Sequence, residues 1–419
     1  MPMKLLLAFV IILVVSILGS RLTFLNRGAS LGFRNIVLTG TEYIFIGVLL
    51  GSMGLNVLDA AALKLMEPFL VLGLCWIGFL FGLQFKVRQL KTLPKAYFSI
   101  SAVQAFVTFL LVGGAMYWMF ERYFQLSRPA SILVAVILGS TASCTAQSAL
   151  AIVGKSYKFK NRRVLELMRY ISGIDGFYAL CFFVAALSIM PGGVIAPFDL
   201  FKSIIWLLVS IAIGVVPGII LIYLSRVKFT QQEFFVFLIG TVLFCGGIAH
   251  QTRYSPLIAG LVCGIVTANF CRHHLRALSE VLNAEKSIYI ILLLLLGASW
   301  NIKTDASFIT AGIYVLIRIA GKLTGAFAGT RLFKPDYEVP PGLGLGLISD
   351  GGLSAAVIID VKLLIPTLAE PLVTIIILSV FFNELVSPWL ILTQFDKDER
   401  SQVKTGAYRK PKQGYAEKE

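Results

Sequence analysis

ILVAVILGSTASCTAQSALAIVG (residues 132–154) is long and apolar enough to cross a bilayer, yet its centre, Gly139 to Ser148, is a run of small and hydroxyl residues. Glycine weakens a helix, and serine and threonine compete for its backbone hydrogen bonds. At membrane depth such unwound backbone is tolerated only where protein buries it or a water-filled cavity solvates it. A second stretch repeats the pattern. PGLGLGLISDGGLSAAVIID (341–360) carries Ser349, Asp350, Gly351 and Gly352 at its middle. Small residues in a single span merely allow close helix packing. Two such spans point to a pair of broken helices that cross, the arrangement that marks a transporter's binding site.

Working outward, the chain of 419 residues is 57% hydrophobic and 14% charged, with a mean hydropathy of +0.84. Too few polar side chains exist to cover a soluble multidomain enzyme. Apolar runs of bilayer-spanning length recur throughout, and the alternation of a β-barrel is absent. The expected fold is an all-α polytopic membrane protein with about 13 spans. They run over 4–20, 36–53, 67–85, 96–119, 130–153, 164–190, 200–224, 232–250, 255–271, 285–300, 306–326, 339–360 and 371–394. The first is read as a span, because no small-residue cleavage site follows before Arg21. The two interrupted spans lie seven apart, an odd offset that inverts one relative to the other. CWIGFLFGLQFK (75–86) and ILLLLLGASWNIK (291–303) echo each other at the same offset. Spans two to six (36–190) and nine to thirteen (255–394) are therefore expected to form inverted-topology repeats within a transmembrane domain over 1–394. The polar residues 395–419 read as a disordered cytoplasmic tail.

The net charge of +15 would suggest nucleic acid in a soluble protein, but here its distribution decides. With the N-terminus outside and the C-terminus in the cytoplasm, 26 of the 37 basic residues fall on inner loops or the tail. That is a topology marker, and no nucleic-acid partner is expected. The six cysteines form no CxxC pair. No nucleophile–base set or metal cluster appears, so neither an enzyme nor a bound cofactor is expected.

Few ionisable residues lie well inside the spans, and each needs a reason. Asp175 of span six stands roughly 16 Å beyond Val164, close to the midplane of the bilayer core. Glu166 and Arg169 are spaced to pair with each other, while Asp175 faces away from them, beside Ser172 and Gly173. An unpaired carboxylate at that depth is a candidate cation or proton site. Arg318 and Lys322 lie one turn apart in span eleven. With Glu384 of span thirteen they are expected to form a structural charge network, for which Asp350 is a further counter-ion. Asp350, Ser349, Gly351, Gly352 and Gln147 are expected around the cavity and helix crossing.

Together WIGFLFGLQF (76–85), LGSTASCTAQSALAIVG (138–154), SPLIAGLVCGIVTAN (255–269), LLLLLGASWNI (292–302) and RIAGKLTGAFAG (318–329) resemble the monovalent cation:proton antiporter superfamily. The nearest branch holds sodium/proton antiporters and potassium-efflux systems. The resemblance implies that spans five and twelve cross beside the site and that an aspartate in span six binds the ion. Asp175 matches that aspartate, and Thr141, Ser143 and Thr145 match the polar unwound segment. It also implies a homodimer in a lipid membrane, by default the plasma membrane. Two features depart from the electrogenic members: Ile174 precedes the aspartate, and LLLLLGAS offers no lysine in span ten. The expected function is electroneutral exchange of Na⁺ or K⁺ for H⁺ by alternating access. The alternatives are an organic-anion or solute transporter of the same fold and a non-transporting membrane subunit or sensor.

Overall fold

The computed structural model describes residues 30–91, 94–159, 163–189, 199–226, 230–271, 274–301, 306–395 and 400–402. Span one falls outside them. The remaining spans are present as helices close to their expected positions. They are span two (31–50), three (Glu67–Gln84), four (Lys95–Arg122), five (128–156), six (Arg163–Ile189) and seven (Leu200–Leu224). Then follow eight (Gln231–Gln251), nine (Pro256–Phe270), ten (His274–Ala298), eleven (Ala306–Leu332), twelve (343–364) and thirteen (Pro366–Leu392). Among the described residues nine segments, the interrupted span five (Arg128–Ser156) included, are long and apolar enough to cross a membrane, and span two makes a tenth when its bent halves are joined. This is an integral membrane protein.

Both expected breaks exist. Span five divides into Arg128–Ser143 and Ser148–Ser156. Span twelve divides into a short 3-10 turn, Leu343–Leu347, and an α-helix, Gly352–Leu364. A third break was not legible. Span two is bent by 57° between Leu31–Thr39 and Glu42–Leu50, around Gly40 with φ +78°. Span ten begins at His274, eleven residues before the expected start. Its first turns, HLRALSEVLNA, are too polar for a hydropathy reading yet continue the helix. The tail also departs from the expectation in one place. Arg400–Gln402 pairs antiparallel with Tyr157–Phe159, which directly follows span five, and Phe159 packs its ring 4.2 Å from that of Phe395. The rest of the tail lies outside the described residues.

The packing follows the inverted repeat. Span three lies along span nine, and by exchange of the repeats span ten lies along the second half of span two. Spans four and eleven pack on each other, and five and twelve cross. The first two contacts are made backbone to backbone. A Cβ on Gly78 would strike the carbonyl of Leu257, and one on Gly260 that of Cys75. Likewise, a Cβ on Gly47 would strike the carbonyl of Leu294, and one on Gly297 that of Ile44. These pairs cannot separate by even one carbon without losing the dispersion contacts that hold helices together in lipid.

Gly78→Ala and Gly260→Ala should therefore each cost about 1–3 kcal/mol. Gly240→Ala should be silent, since nothing lies within 4 Å of its would-be Cβ. Thermal unfolding of the detergent-purified protein tests the contrast, and equal melting of all three variants would contradict the backbone contact.

Candidate functional site

At each break the chain leaves helical geometry in an apolar interior, so each exposed N–H and C=O needs a partner. The two breaks supply some of these to each other. Ala146 N donates to Ser349 O at 3.0 Å, Thr145 Oγ1 to Leu347 O at 3.1 Å and Ser354 Oγ to Thr141 O at 3.3 Å. A Cβ on Gly351 would stand 2.6 Å from that of Ala146, so the crossing point requires glycine there. The carbonyls that end the first half of each span carry the negative pole of a helix dipole. Span eleven brings the matching positive charges.

Arg318 donates to Ile348 O, to Cys144 O at 2.8 Å and to Ser349 O at 3.3 Å, and so serves both breaks with one guanidinium. Its NH2 also lies 3.8 Å from Asp350 Oδ1. Four residues on, Lys322 Nζ donates to Ser143 O at 2.6 Å, to Thr145 Oγ1 at 2.8 Å and to Asp175 Oδ2 at 3.2 Å. Asp175 is thus ion-paired rather than solitary. Its Oδ1 accepts from Thr145 N at 3.2 Å, and its Oδ2 also accepts from Thr145 Oγ1. The partner comes from a different span, 147 residues away, which no helical periodicity can reveal. Asp175 and Lys322 are both 0% exposed.

A second polar centre lies across the crossing. Asp350 accepts from Ser354 Oγ at 2.5 Å and from Ser379 Oγ at 3.0 Å. Glu384, also buried, accepts from Ser349 Oγ at 2.7 Å, from Ser148 Oγ at 3.3 Å and from Asn35 Nδ2. It forms no ion pair with Arg318 or Lys322 among the described residues. The expected charge network is therefore divided: Lys322 pairs with Asp175 and Arg318 with Asp350.

A cavity of about 440 Å³ reaches this region. Its walls include Thr145, Gln147, Ser148, Ser172, Gly351 and Gly352 at the breaks, and Gln84, Glu285 and Lys286 towards one membrane face. The cavity stops at Thr145, behind which Asp175 and Lys322 are sealed. Of the other expected residues, Thr141 bonds Tyr314 OH at 3.1 Å, and Ser143 Oγ is used by Ala105 O and Gly139 O. Ser172 Oγ is occupied by Arg169 O at 3.0 Å. Glu166 and Arg169 are exposed, and no ion pair joins them among the described residues; the Arg169 guanidinium lies against Gly154. Asn35, Tyr314 and Ser379 were missed, because a single polar residue in an apolar helix carries no signal of what it faces.

The comparisons with known proteins agree with this architecture. The family model described as "Sodium/hydrogen exchanger, transmembrane" matches residues 30–392. In fold the chain is similar to the sodium proton antiporter MjNhaP1 from Methanocaldococcus jannaschii, solved at pH 8. The TM-score is 0.63 and the identity 15%, over 93% of this chain and 99% of that one. No curated protein matches the chain in sequence.

Removing the guanidinium would strip three buried carbonyls and Asp350 of their partner. Arg318→Leu should lose about 3–5 kcal/mol, as for other broken buried ion pairs. Arg318→Lys should recover only part of that, since one ammonium lacks the fork that reaches both breaks. Melting temperatures of the purified variants decide it; an Arg318→Leu protein as stable as the parent would refute the bridging role.

Proposed function

Because the chain belongs to the sodium/hydrogen exchanger family, whose fold is that of transporters, we propose that it exchanges Na⁺ or K⁺ for H⁺ across a membrane, one for one, by alternating access. The observation that carries this reading is the oxygen cage around Lys322 Nζ. A carbonyl, a hydroxyl and a carboxylate oxygen converge on it at 2.6–3.2 Å. That is the donor set a hard monovalent cation takes once its water is shed. In the state described here the lysine ammonium occupies it. A cation arriving through the cavity past Thr145 displaces the ammonium and is held by Asp175, Thr145 Oγ1 and the freed carbonyl of Ser143. In the alternate state Asp175 holds a proton or the lysine.

Charge balance supports the stoichiometry. The Asp175–Lys322 pair is neutral as found, and an uncompensated charge is expensive at this depth. One cation entering for one proton leaving keeps the net charge of the buried site unchanged between the two loaded forms. The sidedness follows from the basic loops. The cavity extends towards the face on which Lys86, Arg88 and Lys91 lie, which the positive-inside bias assigns to the cytoplasm. The protein is then inward-open, in the plasma membrane, with its N-terminus outside and its C-terminus inside, and it works as a homodimer. The repeats at 36–190 and 255–394 form the transmembrane domain within 1–394.

Reconstituted into liposomes with an imposed pH gradient, the protein should dissipate that gradient on addition of NaCl or KCl. Asp175→Asn should reduce the response to background, and clamping the membrane potential should leave the wild-type rate unchanged. An undiminished response from Asp175→Asn would sink the mechanism. Flux indifferent to both cations but competed by an organic anion would replace this reading with solute transport.

A further inference from the structure

Three carboxyl groups meet at the crossing, Asp175, Asp350 and Glu384, but only two cationic groups, Arg318 and Lys322. All five are fully buried. Lys322 neutralises Asp175 and Arg318 stands beside Asp350. Among the described residues no cationic group pairs with Glu384. The other charged residues on the elements packed against span thirteen do not reach it. Arg34, Arg128, Lys155 and Arg331 are exposed, while Asp360 and Lys362 are engaged elsewhere with Ser255 and with Ser299 O. A carboxylate buried without a counter-charge costs several kcal/mol, whereas its protonated form does not.

The surroundings of Glu384 suit both forms. Three donors, from Ser349, Ser148 and Asn35, serve the charged carboxylate. For the protonated form, either serine hydroxyl can turn and accept. Asn35 Oδ1, on the same carboxamide that touches Glu384, is buried with no partner. Ser148 also forms part of the cavity wall, so a single hydroxyl separates Glu384 from cavity water. Ser148 Oγ and Ser349 Oγ lie 3.4 Å apart, and together they flank the carboxyl from both breaks. The fold repeat makes the placement intelligible. Each break is met by a carboxyl from the span that follows it, Thr145 by Asp175 and Ser349 by Glu384.

We propose that Glu384 is a second proton-binding site, one that holds a proton while the Asp175 cage holds no added cation and releases it through Ser148 when a cation enters. The bookkeeping closes. Without a cation, two carboxylates balance two cationic side chains and Glu384 is neutral. With a cation bound, three carboxylates balance three positive charges. The O–H bond of Glu384 breaks, its proton passes to cavity water, and the site stays neutral. This deepens the exchange reading and rests on it only for the cation-driven release.

The test uses infrared difference spectroscopy on the full-length protein in detergent, in two arms. In the first, pH is stepped with no Na⁺ or K⁺ present. The wild type should show a buried protonated-carboxyl band that Glu384→Gln lacks and Glu384→Asp retains at a shifted frequency, and Asp175→Asn should weaken it, since Glu384 then becomes the second counter-charge. The same band in Glu384→Gln, or none in the wild type, would overturn the proposal. In the second arm, NaCl or KCl is added at fixed pH. The wild type should lose the band, and Glu384→Gln should bind the cation about 10-fold more weakly, a coupling of ordinary size for two linked sites. Unchanged affinity with the band unmoved by either salt would overturn the coupling. Absent exchange in liposomes with the first arm intact would instead count against the transport reading alone.

Discussion

The fold depends on satisfying the backbone of two interrupted helices where there is no bulk water. Eight or so peptide groups around Cys144–Gln147 and Ile348–Gly351 have left helical geometry at a depth where each would otherwise cost several kcal/mol. The breaks serve one another in part, and span eleven supplies the rest from two side chains one turn apart. Arg318 is suited to its place because a rigid fork can serve carbonyls from two chain segments at once. Lys322, a compact charge on a flexible stem, ends among oxygens that a metal cation could equally use. The contacts that cap the break are thus the same set that the proposed exchange would offer to a cation.

Much of this was legible in the sequence. Hydropathy placed the described spans to within about two helical turns, except at the polar start of span ten, and clusters of glycine, serine and threonine marked both central breaks. Counting along span six singled out Asp175, which is fully buried. The inverted repeat was visible as a seven-span offset, and the packing of three on nine and ten on two agrees with it. What was hidden depends on tertiary neighbours. Arg318 and Lys322 read as a structural set because their spacing shows that they share a face, not what that face meets. Glu384 was grouped with them on charge alone, yet its donors come from Asn35, Ser148 and Ser349 on three other segments. The bend in span two has a single glycine and two threonines as its signal, too little to separate it from an ordinary span.

The position of Lys322 bears on how departures from a family pattern are read. Span ten lacks the lysine that electrogenic members carry there, and one inference from that gap is a site without a resident cation. The ammonium is nonetheless present at the aspartate, delivered from the adjacent span. A positive charge at one point in space can be delivered from different helices, so the gap in span ten does not leave Asp175 without a cation.

The bend in span two has a mechanical meaning. Its first half, Leu31–Thr39, lies against span thirteen and the second half of span five, with Asn35 bonded to Glu384. Its second half, Glu42–Leu50, is locked backbone to backbone on span ten. Spans four and eleven are interlocked in their turn through Gly321 and Gly325 against Thr108 and Gln104. Backbone locks of this kind do not slide, whereas the cavity beside the crossing is lined by larger side chains such as Phe81, Tyr289 and Leu353. Span two is thus fixed at both ends, to span thirteen before Gly40 and to span ten after Thr41. A displacement of span ten relative to span thirteen, such as the exchange proposed above would need, would fall on Gly40 and Thr41, the two residues between those fixed halves.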